Sequence, residues 1–145
     1  MTATALCAAA ACSDPLDSRQ DSRTFTLRSV GEQSLPVELV PVSEGSAVRR
    51  WWLDSGRLTL QSNGVVRFRM GLRSQLDAGP VKQSEEELVG AHGTDQTMLV
   101  LCLGSGCTPR SGNVSQAIAA RDSGPELITP ALFPGASSPF RFVRD

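Results

Sequence analysis

The sequence predicts an all-β domain, an antiparallel up-and-down meander closing into a small barrel of about eight strands. Three observations carry this expectation. Apolar and polar residues alternate with a period of two from Leu58 to Leu72 (LTLQSNGVVRFRMGL), the pattern of strands with one covered face. Short runs of the same kind recur along the chain between Gly, Pro, Ser, Asn and Asp turns. No stretch carries a convincing long helical period. Closure follows because a lone hairpin is only marginally stable in water and an open sheet leaves exposed edges.

The first strand is Thr24 to Val30 (TFTLRSV), with Phe25 and Leu27 on one face and Gly31 ending it. Val37 to Val42 (VELVPV) follows, where Pro41 lacks the amide of a central ladder and marks an edge or a bend. Ala47 to Leu53 (AVRRWWL) reads as a strand that Asp54-Ser55-Gly56 turns into the central hairpin. Within that hairpin the loop length sets the register. A two-residue Asn63-Gly64 loop would pair Leu60 with Arg67 and oppose apolar and charged faces. A three-residue loop Ser62-Asn63-Gly64, with Gly64 at positive φ in a bulge, pairs Leu60 with Val66 and Leu58 with Phe68. Both apolar faces then agree.

Beyond the hairpin, Ser74 to Pro80 (SQLDAGP) reads as a loop, and Lys82 to Gly90 as a polar strand with a short helix as the alternative. Thr97 to Leu103 (TMLVLCL) is apolar on both faces, as in a strand covered on two sides. Val114 to Arg121, Glu126 to Pro130 and Phe140 to Arg144 (FRFVR) complete the meander.

The 145 residues, 40% of them hydrophobic, suit one domain with a sizeable core. Fourteen basic and 15 acidic side chains leave a net charge of -1, which gives no global pull towards nucleic acid. No apolar run reaches the roughly 18 residues that a spanning helix needs.

The first eleven residues, MTATALCAAAA, are small and apolar, end at Cys12 and give way to SDPLDSRQDSR. This resembles the tail of a bacterial lipoprotein signal, where a small-residue box precedes the cysteine that takes the lipid. The resemblance implies a signal remnant over 1–12, lipid attachment at Cys12, a flexible tether over 13–23 and the folded domain over 24–145, lipid-anchored in a bacterial envelope and facing the periplasm or exterior. No basic segment precedes the apolar run, and Ala stands where such boxes usually have Leu. A cleaved secretory signal or a cytosolic leader are the other readings. With Cys7 and Cys12 set aside, Cys102 and Cys107 form a pair separated by Leu-Gly-Ser-Gly, close enough for a disulfide. Two buried free thiols are the alternative. Zinc would need two further ligands, and the chain has a single histidine.

Three short stretches, Phe25 to Val30 with Gln33-Ser34-Leu35-Pro36, Gly56 to Leu60 with Ser62-Asn63-Gly64, and Phe140 to Arg144, together resemble small bacterial lipocalin-like lipoproteins. The resemblance covers both ends and the middle of the domain and leaves 82–112 without a counterpart. It implies a barrel with a ligand-sized interior. It brings no catalytic motif.

For chemistry the residues offer little. His92 in Gly90-Ala91-His92-Gly93 reads as an exposed loop histidine. Ser105 in Gly104-Ser105-Gly106 lacks the spacing of a nucleophile elbow. Glu85, Glu86 and Glu87 read as a solvated acidic run in which Glu85 and Glu87 share a face. The expectation is a non-enzymatic protein with no cofactor, no metal and no nucleic-acid partner, monomeric. Trp51 and Trp52 are adjacent on a strand, so one indole points in and the other out. One would sit in the core and the other cap the barrel, or one would line a pocket mouth. In the second case Arg49 and Arg50 beside them, and the hairpin's polar-face arginines Arg57, Arg67, Arg69 and Arg73, would receive an anionic head group. Trp51, Trp52, Arg50, Arg67 and Arg69 are the candidate ligand-binding residues. A small apolar or amphipathic ligand is the leading expectation. A solidly packed barrel acting as an envelope interaction or structural module is the alternative.

Overall fold

The computed structural model of the chain describes residues 22–95, 98–104, 117–133 and 135–145. The leader, Cys12, most of the expected tether, Ser105 and Cys107 lie outside the described residues. Among the described residues every regular element is a strand. These are β1 (Arg23–Val30), β2 (Gln33–Ser34), β3 (Val37–Glu38), β4 (Val42–Glu44), β5 (Ala47–Leu60), β6 (Val65–Leu76), β7 (Lys82–Asp95), β8 (Met98–Leu103), β9 (Ala117–Asp122), β10 (Glu126–Thr129) and β11 (Phe140–Arg144).

Strands β5 to β11 pair antiparallel with their neighbours in sequence; β11 pairs with β1, and β1 returns to β5. That last pairing, with Phe25 opposite Leu58 and Thr24 opposite Thr59, closes a ring of eight strands. The short strands β2, β3 and β4 lie outside the ring. The up-and-down barrel is therefore the fold.

The hairpin forms in the predicted register. Leu58 opposes Phe68 and Leu60 opposes Val66, and Gly64 at φ +85° closes the loop with its amide donating to the Gln61 carbonyl at 3.0 Å. A side chain at that φ meets its own backbone, which is why the three-residue loop calls for glycine there.

Two expectations change on the sheet. The segment Val37 to Val42 is not one strand: it breaks into β3 and β4 around Pro41, which has no amide to contribute. Asp54-Ser55-Gly56 is not a turn. The chain runs straight through as the 14-residue β5, and the register against β6 slips between Leu53 and Ser55, a bulge that absorbs one residue. Gly56 then faces the core, where a Cβ would stand 2.9 Å from the Leu27 side chain and 3.0 Å from the Phe68 ring. The glycine that looks like a turn residue is needed for close approach. Smaller differences follow: β6 extends to Leu76, into the expected loop, and Arg23 belongs to β1 rather than to the tether. Lys82 to Gly90 is strand, within a β7 that reaches Asp95.

The barrel is filled at one end by aromatic rings. Phe25, Phe68, Phe140 and Phe142 are fully buried, with Phe68 edge-on to Phe142 at 5.7 Å and to Phe140 at 6.4 Å between centroids. Leu27, Leu58, Leu101 and Leu127 close the layer around them. At the other end β5, β6 and β7 outrun their neighbours. Among the described residues the β7–β8 ladder begins at Gly90, with the Gly104 amide donating to the Val89 carbonyl at 3.1 Å, while residues 82–88 pair with β6. The three long strands form a wall here, carrying the core residues Leu53 and Met70 on its inner face, and that wall positions the candidate site.

Candidate functional site

The inner face of the wall follows from strand alternation. On β5, Leu53 faces the core, so Trp51 does too, and Arg50 and Trp52 face outwards. On β6, Phe68, Met70 and Leu72 face in; on β7, the register sets Glu86 opposite Met70 and Leu88 opposite Phe68. Against this face folds the segment after β3. The Leu39 amide donates to the Trp51 carbonyl at 2.8 Å, and the Val40 amide to the Gly135 carbonyl at 3.0 Å, so residues 39 and 40 are strapped between β5 and the 131–139 loop. Phe133 on that loop anchors by an edge-on contact with Phe140, 5.5 Å between centroids.

What remains between wall and strap is an open-mouthed cavity of about 450 Å³. Trp51, Met70 and Leu72 form its floor, with Leu39, Val40, Val42, Phe133 and Gly135 opposite. Val40 is 66% exposed and Val42 50% exposed, which places apolar side chains at a wet rim. Among the described lining residues the one charged side chain is Glu86. The volume lies within the range of small-molecule sites, and the mostly apolar lining with a single polar group has their usual character.

Of the two tryptophans, the structure puts Trp51 in the cavity and Trp52 on the outer surface. Trp52 stands opposite Arg73, whose guanidinium lies 5.6 Å from its ring centroid and is held by Asp54 at 2.6 and 2.8 Å. Arg50, Arg67 and Arg69 are not brought to the cavity. Arg50 faces outwards opposite Gln75. Arg67 and Arg69 both reach across the outer face to Glu87, at 2.8 and 3.1 Å. Strand parity forces this: the residues between inward Val66, Phe68 and Met70 must point out. The basic patch is also less basic than its arginine count implies, because Arg57 pairs with Asp145 at 3.7 Å and Arg73 with Asp54. The Glu87 carboxyl is held below the ordinary carboxylate range by the hydrogen bond from Arg69 first and that from Arg67 second.

Arg49 does share the inner face with Trp51, 6.0 Å from its ring centroid. Its guanidinium is committed to Glu44, Nε to Oε1 at 2.6 Å and a terminal nitrogen to Oε2 at 3.0 Å, which lowers the Glu44 carboxyl pKa and raises that of Arg49. The acidic run also separates by parity. Glu85 and Glu87 share the outer face, as expected, and Glu86 turns to the cavity. Alternation in the sequence carries that signal, but only the register against Met70 says which of the two faces is the inner one.

His92 is not an exposed loop residue. It lies half-buried on β7 opposite Leu101, its amide donating to Gly64 at 2.7 Å and its Nε2 2.7 Å from the Gln61 carbonyl oxygen, and so ties the hairpin loop to the barrel end. Cys102 is buried on β8, in register with Ala91. Among the described residues no group of three or more His, Cys, Asp or Glu side chains is placed to hold a metal ion. Comparison with protein-family models, curated proteins and solved structures finds no match for the chain.

Proposed function

We propose that this protein is a non-enzymatic carrier that binds a small apolar or amphipathic molecule in the cavity at the open end of its barrel. The observation that carries the reading is the placement of Trp51, Met70, Leu72 and Phe133 around an open space of about 450 Å³. A chain that only needed a solid core would close over such a surface, since each uncovered apolar Å² forgoes about 25 cal/mol of burial. Here the strap carrying Leu39 and Val40 is instead pinned at a distance by its two backbone hydrogen bonds.

The resemblance to small lipocalin-like lipoproteins belongs to the same proposal, as do lipid attachment at Cys12, an envelope location, a monomeric state and a disulfide between Cys102 and Cys107. Lipid attachment and the envelope location rest on the sequence of the leader alone. The second reading is an envelope interaction or structural module, favoured by the buried phenylalanines that pack edge-on inside the barrel.

Native mass spectrometry of the full chain, followed by titration with the neutral apolar probe N-phenyl-1-naphthylamine, separates the two. A carrier retains a small-molecule mass that leaves on denaturation, or after stripping gives saturable one-to-one probe fluorescence. A clean mass together with no saturable probe signal would contradict the carrier and favour the interaction module.

A further inference from the structure

We infer that the cavity selects an amphipathic cation, an organic ammonium whose head meets Glu86 and whose apolar body lies along Leu72 towards Trp51. The inference rests on the cavity reading above and specifies its ligand class.

The charges around the cavity decide the sign. Glu86 is the only ionisable residue lining it among the described residues, and none of these forms an ion pair or hydrogen bond with its carboxylate. The cations that could have offset it are placed elsewhere. Arg49, on the same inner face, is neutralised by two contacts to Glu44. Arg67 and Arg69 are on the opposite face of the sheet and share Glu87. Arg73 is held by Asp54 beside Trp52, also outside. Lys82 has the parity of Glu86 but stands four residues away along β7, roughly 13 Å at strand rise. An anionic head group entering the cavity would therefore meet a carboxylate with no guanidinium among the described residues to receive it. An ammonium would meet the exposed Glu86 carboxylate at the cavity mouth, beside apolar walls, and form a charge-assisted hydrogen bond with it.

The spacing fits an amphipathic shape. Glu86 is opposite Met70 on β6 and Trp51 is opposite Ser74, so the two sites are two strand spacings apart across the sheet and four residues apart along it, which separates their backbones by roughly 16 Å. Leu72 lies between them on the same face. A head at Glu86 thus leaves room for a short alkyl or ring body over Leu72 before the indole closes the far side. The fatty-acid-like anion expected from the neighbouring arginines is the wrong sign for this arrangement.

Three probes with one tail and different heads test the inference by isothermal titration of the full chain below their micelle concentrations: octylammonium, octyl sulfate and octanol. Octylammonium should bind about ten-fold tighter than octyl sulfate, the ratio that one hydrogen bond to a charged group supplies. Glu86→Gln should abolish that preference and Glu86→Lys should reverse it, while Glu85→Gln, on the outer face, should leave it intact. Equal or tighter binding of octyl sulfate, or a preference that survives Glu86→Gln, overturns the inference. Binding of octanol without any head-group preference overturns the inference and leaves the carrier reading standing; failure of all three probes overturns both.

Discussion

Phe68 has the most to lose by truncation. Its ring is fully buried, contacts Phe140 and Phe142 edge-on, and backs onto Gly56, which has no side chain to fill the space. Phe68→Ala should cost about 3–5 kcal/mol, the range for a large aromatic removed from a rigid core. Urea unfolding monitored by circular dichroism reads this directly, and a loss below about 1 kcal/mol would mean that the Phe layer is not the packed centre. That Phe68 is a core residue was legible in its alternation with Arg67 and Arg69. The split of Trp51 and Trp52 between two faces was legible for the same reason, but not which of them points inwards, because the bulge at Asp54 shifts parity between the tryptophans and the hairpin. The glutamate run is solvated as expected, since Glu85, Glu86 and Glu87 are all exposed, but only pairing with Met70 shows that the middle one is on the cavity side.

At the scale of elements, periodicity located the strands and failed at their ends. β1, the hairpin loop and β11 fall where alternation puts them, because each is bounded by residues that cannot continue a ladder. β5 does not, since Asp-Ser-Gly suits a turn and a bulge equally well and local sequence cannot choose between them. The length of β5, β6 and β7 is what creates the wall, so the cavity was beyond the reach of local pattern. The outer face of that wall is held by cross-strand ion pairs, of which Glu87 to Arg69 and Arg67 is the most connected. Because the folded-state pKa of Glu87 is lowered, its stabilisation is complete above the ordinary carboxylate range and is lost as pH falls through the lowered value. Glu87→Gln should therefore lower the urea midpoint at neutral pH, slightly, since the pair is solvent-exposed. The gap to the unsubstituted protein should shrink under acid conditions. A gap that widened on acidification would contradict the ion-pair account.

The whole molecule divides into two halves with different tasks. One half of the barrel is solid, closed by the β1 and β5 pairing and filled with phenylalanine; the other is a wall and a strap around an apolar opening. The solid half gives the wall a fixed base, so the opening can persist without the ligand that would otherwise be needed to hold it. The fold class was legible from composition and alternation, because an amphipathic meander has few ways to bury one face. The division into halves was not, because it depends on how far individual strands outrun their partners.

The most direct test of the central claim uses the chain's two tryptophans as opposed reporters. In a Trp52→Phe variant Trp51 is the remaining indole and lines the cavity; in a Trp51→Phe variant Trp52 remains, on the outer surface against Arg73. Octanol titrated into each should produce a saturable change of emission in the first variant and none in the second. Equal changes in both, or a change confined to the Trp51→Phe variant, would contradict the placement of the binding site at the open end of the barrel.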